Sequence, residues 1–266
     1  MKRTKLKNIL IISLLFITGV SVGFIPPVEE KAEFKLRRIV IDAGHGGKDP
    51  GTIGKTSQEK DVALAIALKV GGYISELLPD VEVIYTRKTD VFIELKERAN
   101  IANRNRADLF VSIHCNAISS PNAYGTETYV MGSRNFNANF EIVKRENAVI
   151  LLEDDYQENY EGFDPKSPES YMVFNLMQKA YFANSLSLAE KVETDLNTRV
   201  NRHSRGVKQA PFYVLWTTSM PSILIETGFL SNPSEEKYLN SKSGQTYVAS
   251  GIFRAIKAYK EELEAI

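Results

Sequence analysis

The chain has 266 residues, is 43% hydrophobic and 25% charged, and balances 33 Lys and Arg against 33 Asp and Glu. That length suits one large domain or two small ones, and the apolar content supports a core without disulfides or a structural metal, so any metal would serve chemistry. Four basic residues sit within the first seven positions. The remainder carries an acidic excess of about four charges, which excludes a nucleic-acid surface of clustered Lys and Arg.

Met1–Asn8 is basic and Ile9–Ile25 carries no charge. This pattern over residues 1–25 predicts a secretory signal peptide or an uncleaved signal anchor. Either one places the rest of the chain outside the cytoplasm, in a periplasm or cell envelope, and only the anchor would hold it to a membrane. No cysteine lies near the end of the apolar run to accept a lipid. Residues 26–35, a Pro-Pro pair followed by charges, read as a linker to a domain spanning 36–264.

From residue 36 strand and helix patterns alternate. Strands are predicted at 38–42, 81–86, 109–114, 126–131, 212–215 and 222–227, and helices at 58–78, 93–106, 185–200 and 247–262. The runs Ile39–Ile41, Leu109–Ile113 and Ile223–Ile225 are continuously apolar, as in strands covered on both faces. The fold class is therefore α/β, a sheet with helices on both sides.

Residues 132–184 break the rhythm. They hold an amphipathic stretch over 140–152, six acids and no base from Glu153 to Asp164, and a second apolar stretch over Tyr171–Phe182. An insertion this long is either a solvated acidic loop beside a surface helix or a functional lid.

Two of the three histidines, His45 and His114, end predicted strands, and Glu226 ends another. Buried strands that each deliver an imidazole or a carboxylate at the same kind of place predict a metal site. Catalytic zinc takes three protein ligands and leaves one position open. The third ligand is either His203, in the polar stretch Asn201–Arg205, or a carboxylate. Glu59 is better placed than His203, because an acid at a helix start can point back over the strand that carries His45. It could equally serve the helix dipole. Gly44, Gly46 and Gly47 let the backbone wrap closely around His45. Glu226 follows Ile-Leu-Ile, where an acid is costly unless paired or coordinated, and it is the natural general base. Cys115 should face away from His114 as a buried structural thiol. The glycine loop has neither the dinucleotide-binding nor the P-loop spacing.

The segments Val40–Gly51, Ser112–Ala117 and Pro221–Asn232 resemble the three signature segments of zinc-dependent N-acetylmuramoyl-L-alanine amidases of the daughter-cell-separation type. The resemblance spans about 37–262. It implies a single domain with a twisted mixed sheet, one Zn2+ per chain held by His45, Glu59 and His114, and Glu226 as catalytic carboxylate. It also implies peptidoglycan as substrate, cut between N-acetylmuramic acid and L-alanine. Ala43 stands where the family often has proline, and Gln58 where asparagine often precedes the ligand carboxylate. Some relatives carry a helical insertion between the second and third segments that covers the zinc until a protein activator relieves it. Residues 132–184 stand at that place and are expected to form an autoinhibitory lid, with an acid such as Glu146 or Glu153 capping the metal. The alternatives are another exported zinc hydrolase, a peptidase or deacetylase, and a non-catalytic peptidoglycan-binding module.

Overall fold

The structure is a computed structural model that describes residues 35–176 and 181–265. The expected leader at 1–25 and the linker, save Lys35, lie outside the described residues. In chain order the strands are β1 (Arg38–Ala43), β2 (Glu82–Tyr85), β3 (Leu109–Asn116), β4 (Thr126–Val130), β5 (Ser204–Gln209) and β6 (Ser222–Phe229). The helices are α1 (Glu59–Leu77), α2 (Leu95–Arg104), α3 (Phe136–Asn147), α4 (Tyr156–Asn159), α5 (Phe182–Thr198), α6 (Tyr213–Trp216), α7 (Pro233–Asn240) and α8 (Lys242–Glu264). Two 3-10 segments, Ala148–Leu152 and Pro168–Leu176, flank α4.

The six strands form one sheet in the order β2-β1-β3-β6-β4-β5. All pairings are parallel except β4 with β6, so the sheet is mixed and mostly parallel. Every residue of β3 and of β6 is buried. Successive residues face opposite sides of a strand, so each strand feeds two cores. On one side Ile39, Ile41, Val111, Ile113, Ile223 and Ile225 pack with the apolar stripes of α1, α5 and α8. The α1 stripe is Val62, Ile66, Val70 and Ile74, at the spacing of three and four residues that makes one helical face. On the other side Val40, Phe110 and Leu224 pack with α2, α6 and residues of the insertion.

That second core takes in several residues of 132–184. Val143 and Ile150 are fully buried, and Tyr160 and Tyr171 nearly so. Each large apolar side chain taken from water contributes about 1.5–3 kcal/mol, so these parts of the insertion are docked, while Asp154, Asp155, Glu158, Glu161 and Asp164 of its acidic run are exposed.

One sequence expectation fails. Residues 212–215 do not form a strand: Tyr213–Trp216 is a single helical turn, and the backbone N–H of Tyr213 donates to Asn147 Oδ1 and not to a neighbouring strand. A short apolar run does not distinguish a strand from a buried turn. Ser204–Gln209 is instead the edge strand. Its residues are polar apart from Gly206 and Val207 and at most partly covered, so it lacks the apolar alternation by which strands are read. The sequence reading also omitted α7, whose start is capped by Asn232 accepting from Ser234 N and Glu235 N with proline at its first turn. Among the described residues no helix is long and apolar enough to cross a membrane.

Candidate metal centre

The site lies at the C-terminal ends of the parallel strands β1, β3 and β6, where open α/β sheets place their ligands. His45 follows β1 in a left-handed conformation, φ 59°. Two buried arginines gather the carbonyls of this loop. Arg98 donates to Ala43 O and His45 O, each at 2.7 Å, and Arg87 donates to Ala43 O at 3.0 Å and Gly44 O at 2.7 Å. Arg98 is itself held by Asp42 at 2.9 Å, and Asp42 also accepts from Thr86 and Ser112. Burial works against charge on Asp42, but Arg98 and the two hydroxyls outweigh it and hold its carboxyl below the usual value of 3.8.

His45, Glu59, His114 and Glu146 converge, all four buried, with one donor atom of each within 4.8 Å of the others. His45 Nε2 lies 3.1 Å from Glu59 Oε1 and 3.1 Å from Glu146 Oε2. His114 Nδ1 lies 3.0 Å from each of the same two oxygens. Zinc–nitrogen and zinc–oxygen distances of about 2.0–2.1 Å give a tetrahedron an edge of about 3.3 Å, so the four atoms have nearly the spacing of such a cage. His45 Nδ1 is engaged by Asp49 at 2.7 Å, the arrangement that fixes a ligating imidazole's tautomer. His45 Nε2 and Glu146 Oε2 have no hydrogen-bond partner. Buried lone pairs facing one another are costly unless a proton or a cation sits among them. Burial disfavours charge on both imidazoles, yet Glu59 and Glu146 overcome it, raising His45 well above 6.5 and His114 to about 9. The cage attracts positive charge, and its donor set fits a divalent metal.

Glu59 begins α1 and is 0% exposed, so it is no solvent-facing dipole residue. Its Oε2 accepts from Thr52 N and its Oε1 from Cys115 N, which fix the carboxylate over the strand ends. Close approach is required at two glycines. A Cβ on Gly44 would stand 2.4 Å from the His114 ring, and one on Gly51 2.5 Å from the His45 ring.

Glu226 stands beside the cage as the strand partner of His114 in β6. It is 0% exposed, and neither oxygen has a hydrogen-bond partner. Arg145 Nη2 is 3.9 Å away. Burial, then the charges of Glu146 and Glu59, push its carboxyl well above 4.5, against partial relief from His114 and Arg145. A buried carboxyl at the rim of the cage, with no hydrogen-bond partner and its proton affinity raised, is a candidate general base in its ionised form.

Among the sequence candidates, His45, Glu59, His114 and Glu226 come together and His203 does not. His203 is exposed on the far side of β4, its ring 5.0 Å from Tyr124. Of the two insertion acids, Glu146 faces the cage from α3. Glu153 does not: it accepts from Leu95 N and Tyr160 Oη. Cys115 turns to the opposite core from His114, its thiol against Thr227 Oγ1 at 3.3 Å and raised by burial. Sequence reasoning missed Arg145, Asp49, Asp42, Arg87 and Arg98. Asp42 carried a signal, being an acid inside an apolar strand; Arg145 carried none.

A single mixed α/β sheet with a buried two-imidazole, two-carboxylate cage at its strand ends, and beside it a buried carboxylate without hydrogen-bond partners, defines a hydrolase domain that can hold a metal. The N-acetylmuramoyl-L-alanine amidase model matches residues 39–258. The chain is 36% identical over 227 residues to the amidase AmiC of Escherichia coli, covering 83% of this chain and 52% of that protein. It is 33% identical over 240 residues to AmiA of Escherichia coli K12, covering 89% and 80%. The crystal structure of the N-acetylmuramoyl-L-alanine amidase from Clostridium difficile 630 superposes with a TM-score of 0.64 at 31% identity, over 86% of this chain and 98% of that one. The chain belongs to the N-acetylmuramoyl-L-alanine amidase family. It spans about half the length of AmiC.

Proposed function

We propose that the chain hydrolyses the amide between N-acetylmuramic acid and L-alanine in peptidoglycan, with one Zn2+ held by His45, Glu59 and His114. The observation that carries this reading is the four-atom cage with Glu226, buried and without a hydrogen-bond partner, beside it. Zinc held there supplies Lewis acidity, which polarises an amide carbonyl and makes water a stronger acid. Glu226 takes the proton of the attacking water at a carboxylate oxygen and returns it to the L-alanine nitrogen as the C–N bond breaks. Asp49 keeps the His45 ring in its ligating tautomer. Arg98 and Arg87 keep the loop that carries it from relaxing.

In the resting chain Glu146 Oε2 stands 3.1 and 3.0 Å from the two imidazoles, where it would occupy a bound metal's remaining place, and Arg145 ties the end of α3 down through Ala117 O at 2.7 Å and Asn116 Oδ1 at 3.1 Å. The segment 132–184 is thus an autoinhibitory lid, and a protein activator that displaces α3 opens the site. The leader exports the chain to the periplasm or cell envelope, where it serves wall remodelling and daughter-cell separation. Incubating the purified chain with peptidoglycan tests the reading. Intact stem peptides with a free L-alanine amino group are expected. Fragments cut inside the stem peptide would mark a peptidase, and deacetylated sugars a deacetylase.

A further inference from the structure

The row of side chains that holds the metal cage continues past Glu226. On one face of the sheet β3 pairs His114 with Glu226, β4 pairs Glu127 with Glu226, and β5 sets Lys208 beside Tyr129. Glu127 is 2% exposed and saturated with donors. Its Oε1 accepts from Arg205 Nε and Lys208 Nζ, each at 2.6 Å. Its Oε2 accepts from Tyr129 Oη at 2.6 Å and Asn116 Nδ2 at 3.0 Å. Two cations share one carboxylate, so the clamp has positive charge to spare. Arg205 engages Glu127 through Nε, with Phe229 under its guanidinium at 5.1 Å, which leaves its two terminal nitrogens available. A groove of about 730 Å³ opens on these groups, and four cations and two acids line it. Arg145 lines it too, so the groove adjoins the cage.

We propose that Arg205 and Lys208 form a carboxylate-reading subsite that selects stem peptides whose second residue carries a free carboxylate. The proposal rests on the amidase reading above. Neighbouring strands lie about 4.8 Å apart, so cationic heads gathered over Glu127 stand about one strand spacing from the Glu226 column. Standard backbone lengths put the α-carboxylate of a second residue about 6 Å from the nitrogen of the bond being cut. The two lengths are of the same order. The buried carboxylate of Glu127 fixes both cations before substrate arrives, which lowers the ordering cost of binding. The planar fork of Arg205 suits a carboxylate and gives no comparable grip on a neutral carboxamide. A clamp that only pinned the β5 edge to β4 would have no preference between the two.

The test compares muramoyl-L-alanyl-γ-D-glutamate with its α-carboxamide, in the zinc-loaded full chain carrying Glu146→Ala so that α3 does not mask the site. The kcat/KM ratio, acid over amide, is measured without further change and with Arg205→Gln, Lys208→Gln, both together, and Arg205→Lys. The ratio is internal to each preparation, so a partly unfolded sample does not distort it. Loss of a charge-assisted contact predicts a ratio of about 10 to 100 that falls toward 1 in the double variant, mostly through KM, with Arg205→Lys retaining part of it. A ratio near 1 in the Glu146→Ala chain, or one that survives the double substitution, overturns the subsite and leaves the amidase reading standing. Failure to cut either substrate overturns the amidase reading itself.

Discussion

Replacing Glu146 by alanine tests the resting state of the site. The carboxylate holds α3 over the cage through contacts of 3.1 and 3.0 Å to the two imidazoles, and its other oxygen receives Arg145 Nε at 2.9 Å. Removing one partner of a buried ionic contact costs about 3–5 kcal/mol. Water entering the vacated place returns part of that, leaving about 2–3 kcal/mol against the closed form. At about 1.4 kcal/mol per factor of ten, the open population grows roughly 30- to 150-fold. The rest of the insertion stays docked, because Ile150, Tyr160 and Tyr171, beyond α3, are buried in the second core. Basal release of labelled fragments from peptidoglycan should therefore rise by about 30- to 100-fold, with circular dichroism unchanged and one zinc per chain. A folded, zinc-loaded Glu146→Ala protein with unchanged or lower activity would refute the lid. Deleting 134–183 outright is a poorer test, since it strips the side chains that complete the second core.

Glu226→Gln should keep its zinc and lose turnover by about 10²- to 10⁴-fold, the usual worth of a positioned acid-base group, as read by product release beside metal analysis. Asp42→Asn leaves Arg98 buried without its anion and should destabilise by about 3–5 kcal/mol in urea unfolding. Because the folded carboxyl of Asp42 is depressed below 3.8, its contribution is present above that pH and disappears as pH falls through the folded value. The parent should accordingly lose stability on acidification below pH 3.8 more steeply than Asp42→Asn. Gly51→Ala places a Cβ at φ +64° and 2.5 Å from the His45 ring. Overpacking of about 1–3 kcal/mol should push that imidazole off the cage and weaken zinc binding measurably in a competitive chelator titration.

The parallel centre of the sheet was legible because β1, β3 and β6 are covered on both faces and therefore continuously apolar. His45, His114 and Glu226 stood out for the same reason, as polar residues at the ends of such runs. Glu59 was legible only as a choice among carboxylates, since nothing in a helix-starting acid tells whether it points to solvent or back over a strand. The sequence offered acids such as Glu146 and Glu153 without telling which of them faces the cage. The choice depends on which face of α3 docks, and that is set by Val143 and Ile142 meeting a core assembled from distant strands. Arg98 and Arg87 look like ordinary helix and loop cations in sequence. Their roles emerge only when the chain brings them under carbonyls 43 or more residues away. Edge strand β5 was hidden by its own chemistry, a polar Ser-Arg-Gly-Val-Lys-Gln run whose two cations turn to Glu127.

The most direct measurement is mass spectrometry of the products that the zinc-loaded chain releases from purified peptidoglycan, run beside Glu226→Ala at equal zinc content. The account predicts intact stem peptides ending in a free L-alanine amine and glycan strands that keep their lactyl groups, from the parent only. Cleavage within the stem peptide, or the same products from Glu226→Ala at the parent's rate, would contradict it.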